Sequence, residues 1–388
     1  MRIAEVAVHV LREKARPIDN RQLAALVAIT AENGLTGYAE ANANPAAVKA
    51  YIDSGIGLFD NWDDVPRAVL ARCDARDPRG AWDALTASSS WSARAGIGYV
   101  ALAAVGTALW DLAGKLAGRP VYELLGGRKC DEVMPYLTLY HGPSDAEQTM
   151  TRNREAIAWA RDQGYRAAKV EALLDNVPDE ARIVEVVADA RTVAGDDFLL
   201  LVDVGYRWQE AKAAIATCTS LAALGVHAIE APFPPDRLGD YRALADSGGI
   251  GIAAGDILSA PVEYEPLIDS GAVSIVQAGA ARTGLNGLLQ LSTRAAERGV
   301  RVVTWGWCAT TVALAANIHA SMTFPGKVLL EYAPPVLYPD ARLRSELFSP
   351  EPVIRDGLCV EPSLPGFGTE LNNEALVDLS IASDRWEL

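Results

Sequence analysis

The chain has 388 residues, of which 50% are hydrophobic and 22% charged, with a formal net charge of −15. This length exceeds what one small core organises and implies a large domain with a smaller companion. The acidic balance argues against nucleic acid and anionic membranes as partners, so an anionic substrate would need local positive charge, such as a bound metal ion.

Five cysteines are scattered without a C-x-x-C spacing, which argues against a zinc ribbon or disulfide framework and for a cytoplasmic location. No apolar run is expected to reach the roughly 18 residues of a membrane span. The opening MRIAEVAVHVL alternates polar and apolar residues and reads as a strand rather than a signal peptide. A second strand pair follows in LAALVAITAENGLTGYAEA, with Asn33-Gly34 as its turn signal. From about residue 44 to 128 the period is helical; the clearest helix, YVALAAVGTALWDLAGKLAG, is followed by Gly118 and Pro120 as stop signals. GIGYVA at 96–101 imitates a dinucleotide-binding fingerprint, but SSSWSARA precedes it where a strand should stand, so helix packing explains its glycines better.

From residue 133 short apolar runs alternate with amphipathic helices. The runs are VMPYLTLY, AAKVEAL, FLLLVDV, HAIEAPF, GIAAGDI, SIVQAGA, RVVTWGW and KVLLEYA. Eight strands separated by helices predict a parallel (β/α) barrel of the TIM type, and their near-continuous hydrophobicity fits a sheet covered on both faces. An open Rossmann- or flavodoxin-like sheet is the rival architecture. Ser144-Asp145-Ala146-Glu147 reads as a capping box for the first barrel helix. Residues 1–130 are expected to form an α+β cap, 131–335 the barrel, and 336–388 a segment returning to the cap.

Barrel enzymes place their chemistry at the C-terminal strand ends. Those ends hold Lys169 and Glu171, Asp203, Glu230, Asp256, Gly279, Trp305 and Glu331. An unpaired buried carboxylate is costly, so three successive strands ending in Asp203, Glu230 and Asp256 call for a cation. An all-oxygen ligand set suits Mg²⁺ better than zinc. The plain alternative is that each carboxylate caps the helix that follows it.

These motifs resemble the enolase superfamily, in its mandelate racemase/muconate lactonizing enzyme branch, over nearly the whole length. GYAEA (37–41) and ALWDLAGKLAGRPVYELLGGR (108–128) are similar to its capping domain. LVDVGYRW, AIEAPFPPD, IAAGD and VVTWGW fall in family order, and LPGFGTELNNEAL resembles its C-terminal segment. The resemblance implies a modified (β/α)₇β barrel, Mg²⁺ on Asp203, Glu230 and Asp256, and a small carboxylate substrate whose α-proton leaves to give a metal-stabilised enediolate. It also implies a homo-oligomer and cap loops, near residues 14–24 and 42–56, that choose the substrate.

Two departures follow from the same alignment. Lys169-Val170-Glu171 puts Glu171 where the family's Lys-x-Lys base stands, and Gly279 and Trp305 take the places of an Asp and a His. Indole N–H only donates, so Trp305 moves no proton and would either wall off water or form an apolar face against the substrate. Racemisation, which needs groups on both faces, is disfavoured; dehydration by Lys169, Glu171 or both from one face is expected. Glu171 should stay ionised unless burial raises its pKa, and is alternatively a fourth ligand or a salt-bridge partner; Lys169 near a cation should have a lowered pKa. His141 and Glu331 are further substrate-binding candidates, with Tyr140 and Tyr206 behind them. A sugar-acid dehydratase, a lyase, is the leading expectation; a cycloisomerase or epimerase, and a non-catalytic ligand-binding relative, are the rivals.

Overall fold

The computed structural model describes residues 1–13, 23–54, 65–140, 144–306, 310–338 and 341–387. Strands β1 (Ile3–Arg12), β2 (Leu23–Ala31) and β3 (Thr36–Ala41) form an antiparallel meander. The turn at Asn33-Gly34 is as expected, with Gly34 at φ 85°, a conformation that costs glycine little. The C-terminal strand Ser380–Glu387 pairs antiparallel with β1, setting Trp386 opposite Val6, so both ends of the chain share one sheet.

The helix Gly96–Ala117 packs on this sheet and ends at Gly118, whose φ of 65° is the left-handed stop the sequence predicts. It corrects one expectation. At 22 residues, with an 18-residue window of mean hydropathy 1.4, it is long and apolar enough to cross a membrane, but 83% of that window is buried inside the protein. A Cβ on Gly37 would lie 2.2 Å from the Ala108 carbonyl oxygen, so glycine there lets β3 and the helix touch. Asp111 of the same helix accepts N–H groups from Tyr38 (2.9 Å) and Phe367 (2.8 Å) and pairs with Lys115, tying helix, sheet and C-terminal segment together.

Eight parallel strands close into a barrel: β4 (Cys130–Leu139), β5 (Ala167–Glu171), β6 (Leu199–Asp203), β7 (Val226–Glu230), β8 (Gly251–Ala254), β9 (Ile275–Ala278), β10 (Arg301–Thr304) and β11 (Gly326–Tyr332). Closure rules out the open-sheet rival. Among the described residues a helix of ten or more residues follows each strand from β4 to β10, whereas β11 leads into the short turn Pro335–Leu337. The helix after β4 starts one residue later than its capping pattern suggests. Asp145, not Ser144, is the cap, accepting from Gln148 N–H at 2.8 Å.

The period-2 geometry of a strand sends alternate side chains inward. One from each strand (Tyr136, Ala167, Leu201, Ala228, Ala253, Ile275, Val303 and Leu329) joins a buried cluster that plugs the barrel. The barrel is therefore a packed core whose open end begins one layer above this plug.

Candidate active site

Two residues further along each strand, the same inward face carries most of the candidate site residues. Stepping on from the plug gives Thr138, Lys169, Asp203, Glu230, Gly255, Gln277, Trp305 and Glu331. Register reinforces this: Glu171 lies beside Asp203, and Asp203 beside Glu230, on adjacent strands. The helix-capping alternative fails for Asp203 and Glu230, because the helices that follow begin at Ala211 and Leu238 with Glu210 and Arg237 at their caps; Asp203 instead accepts the Gly205 N–H at 2.9 Å and faces Lys169.

Lys169 sits at the centre. Its Nζ is 2.9 Å from Glu331, 3.0 Å from Glu230, 3.4 Å from Glu171 and 3.5 Å from Asp203. Lys169, Glu171, Glu230 and Glu331 are all buried. Burial opposes the charge on Lys169, but Glu230, Glu331 and Glu171 push its pKa well above the ordinary lysine value. The lowering expected for Lys169 belongs beside a bound cation, whereas here the carboxylates act on the ammonium directly. Glu171 meets the exception named for it: burial outweighs Lys169 and pushes its pKa up to about 8. Burial also raises Glu230 well above the usual range, helped by Asp203. At Glu331 burial is overcome by Lys169, the Thr138 hydroxyl and the Gly306 N–H, 2.8 Å away, leaving its carboxyl below the ordinary value. Glu331 accepts here on both oxygens; Thr138, which holds one of them, was legible only as the next inward residue after Tyr136.

Asp256 reaches the mouth differently. β8 ends at Ala254, and Gly255 at φ 111° breaks the alternation, turning Asp256 inward off the strand's own period. Its Oδ1 takes a hydrogen bond from the Tyr206 hydroxyl, and burial lifts its pKa to about 6. Tyr206 itself holds φ 59°, an uncommon conformation for a residue with a side chain. The three carboxylates read from the sequence thus share the mouth without closing on one point. Asp203 and Glu230 face Lys169, Asp256 faces Tyr206, and among the described residues no three such groups gather closely enough to cage an ion. The donor set nevertheless fits a hard divalent cation. One ammonium faces four carboxylates, Glu230 Oε2 is buried with no hydrogen bond among the described residues beyond its 3.0 Å ion pair to that ammonium, and burial together with Asp203 raises the pKa of both Glu230 and Asp256.

Across the mouth, β9 and β10 carry no carboxylate. The place of the family's Asp is not vacant. A Cβ on Gly279 would lie 2.7 Å from the Trp305 carbonyl oxygen and 3.4 Å from its ring. Trp305 is half-buried.

The cap is clasped to this side. Glu40, at the end of β3, accepts the Thr310 N–H (2.9 Å) and hydroxyl (2.7 Å) at the start of the helix after β10. Asn42 N–H donates to the Ala281 carbonyl at 2.7 Å, and Arg282 Nη1 donates to the Asn42 carbonyl at 3.0 Å. Arg282 Nε also reaches the Ile257 and Leu258 carbonyls, just past Asp256. The second cap loop expected near the substrate therefore starts on the barrel mouth; sequence reading had no signal for this clasp. Of the first such loop, residues 14–22 lie outside the described residues, as does His141. Tyr140 donates to Asp175 at 2.8 Å and stays a loop residue. The other histidines lie away from the mouth: His9 is on β1, His227 at the start of β7 and His319 on the helix after β10.

Comparison with known proteins follows this geometry. Residues 152–375 match the family model for the enolase C-terminal domain-like fold, and residues 4–126 match the mandelate racemase/muconate lactonizing enzyme N-terminal domain. The chain is 26% identical to D-galactarolactone cycloisomerase of Agrobacterium fabrum over 97% of its length and 98% of that protein's. It is 30% identical to a chain from Caldivirga maquilingensis with the provisional name L-rhamnonate dehydratase, over 76% of this chain and 71% of that one. Among solved structures, L-talarate dehydratase from a Polaromonas species, complexed with Mg and L-glucarate, superposes with a TM-score of 0.80 at 22% identity, covering 100% of this chain and 99% of that one. The 3,6-anhydro-D-galactonate cycloisomerase of Zobellia galactanivorans gives 0.83 at 23% identity, covering 98% and 100%. At these last two identities the likeness speaks for the fold.

Proposed function

Because this chain belongs to the mandelate racemase/muconate lactonizing enzyme family of the enolase superfamily, we propose that it is a Mg²⁺-dependent enzyme that removes the α-proton of a small hydroxy-carboxylate, and that its reaction is the dehydration of a sugar acid. The observation that supports this best is the charge imbalance at the strand ends, where Lys169 alone faces Glu171, Asp203, Glu230 and Glu331. Asp203, Glu230 and Asp256 would hold the ion. When bound, Mg²⁺ would stabilise the charge that grows on the substrate carboxylate as the α-proton departs.

The chain's own residues divide the remaining work. Lys169 Nζ and the Glu171 carboxyl both enter from β5, so proton removal and protonation of the departing hydroxyl are served from one side. Glu331, fixed by Thr138 and Gly306, orients the Lys169 ammonium. Among the described residues the β9–β10 side supplies no acid or base, which disfavours two-base racemisation. Cycloisomerisation is a second reading, favoured by the 26% identity to a cycloisomerase along nearly the whole chain.

The test is incubation with Mg²⁺ in D₂O and a panel of aldonic acids, aldaric acids and their lactones. The expected product is a 2-keto-3-deoxy acid, and Glu230→Gln should lower its rate by about a thousandfold or more, as loss of a metal ligand does to such charge stabilisation. A product isomeric with its substrate would favour the cycloisomerase. Absence of both turnover and α-proton exchange for every acid would overturn the enzymatic reading.

A further inference from the structure

The β9–β10 side is more tightly built than an apolar wall requires. Gly279 is not among the glycines with positive φ, so its missing side chain serves space rather than backbone freedom. That space is taken by Trp305, whose carbonyl oxygen and ring stand where a Cβ would go. Asn317, fully buried on the helix after β10, donates to the Trp305 carbonyl at 3.1 Å and accepts the Ala280 N–H at 2.7 Å. It thereby locks the ends of β9 and β10 together. The period-2 step from Val303 turns Trp305 into the same inward layer as Lys169, Glu230 and Glu331.

Yet the one polar atom of this ring, Nε1, is buried and has no hydrogen-bond partner among the described residues. Two other tryptophans show the usual outcome: Trp110 Nε1 donates to Asn286 at 3.2 Å, and Trp208 Nε1 donates to Glu180. Buried N–H groups are nearly always paired, and an unpaired one is destabilising, so an orphan held rigidly in a binding layer points to an acceptor that arrives with the ligand.

We propose that the indole N–H of Trp305 is a specificity-determining donor, hydrogen-bonded in the complex to a hydroxyl or ring oxygen of the substrate. This deepens the reading above and rests on it for the substrate's place at the mouth. A donor with no acceptor capacity asks for oxygen on the β9–β10 side of the bound molecule. It therefore selects polyhydroxylated acids or their lactones over plain aliphatic acids of equal length, and does so without moving a proton.

The test uses protein with ¹⁵N-labelled tryptophan, in which the indole resonance missing from Trp305→Phe belongs to Trp305. Mg²⁺ alone, each acid of the panel with Mg²⁺, and adipate, a dicarboxylate of aldaric length without hydroxyls, are added in turn. The Trp305 indole proton should move downfield with the acid that is consumed, and stay put with Mg²⁺ alone and with adipate. Trp305→Phe should lose about tenfold in kcat/KM on that acid, the worth of one hydrogen bond. Benzothienylalanine at the same position, which keeps the shape and removes the N–H, should lose as much. An acid consumed with the resonance unmoved, wild-type kcat/KM in the benzothienylalanine variant, or no shift with any acid would each overturn the proposal. An acid that moves the resonance without being consumed would keep it and sink the dehydratase reading instead.

Discussion

The two sides of the barrel mouth are held in shape by different forces. From β5 to β7, and on β11, the side chains are charged and fixed by mutual attraction around Lys169. On β9 and β10 they are fixed by contact, with Gly279 giving way to Trp305 and Asn317 bolting the strand ends together. The first arrangement is tense, since four carboxylates share one ammonium, and a change in charge should unsettle it. The second is indifferent to charge and should be unsettled by volume. On the proposed reading, chemistry and recognition occupy opposite sides of one barrel mouth.

The largest expected effect comes from removing the central cation. Lys169→Met leaves buried carboxylates uncompensated and should destabilise the metal-free protein by about 3–5 kcal/mol, measured by urea unfolding in EDTA. Unfolding at the wild-type midpoint would show that the carboxylates do not depend on Lys169. Next is pH. Glu171 and Asp256, lifted to about 8 and about 6, keep protons in the folded chain that the unfolded chain has already released above the ordinary carboxylate range. Their contribution is complete below that range and is lost as pH rises through the folded values. In EDTA, stability should therefore fall by about 3 kcal/mol over two pH units for one retained proton, and Mg²⁺ should flatten the slope. A profile in EDTA that is flat or rises from pH 5.5 to 7.5 would remove the tension assigned to the charged side. The smallest effect is steric. Gly279→Ala should cost about 2 kcal/mol by overpacking against Trp305 while leaving the pH slope unchanged; an altered slope would mean that the two sides are not independent.

Much of this was legible residue by residue. Lys169, Asp203, Glu230 and Glu331 fall on one inward face because strand alternation is a local property, and each sits within an apolar run that marks its strand. Asp256 was found for an incomplete reason, since it stands off that alternation and enters the mouth only through the turn at Gly255. Trp305 was visible as a residue without proton chemistry, but its unpaired N–H and the filled space at Gly279 were not. The apolar length of the helix Gly96–Ala117 was overlooked in the sequence, and it is a feature of burial beneath the cap sheet.

By itself, then, the sequence determined the eight-strand barrel, the cap and the carboxylates of the mouth, because hydrophobic period and residue type are written along the chain. Only the tertiary structure decided which carboxylates lean on Lys169, which one turns to Tyr206, and how Glu40, Asn42 and Arg282 pin the cap to the mouth. Those outcomes depend on distances between strands and loops far apart in the chain, and the burial that moves the pKa values of Glu171 and Asp256 exists only once the barrel has closed.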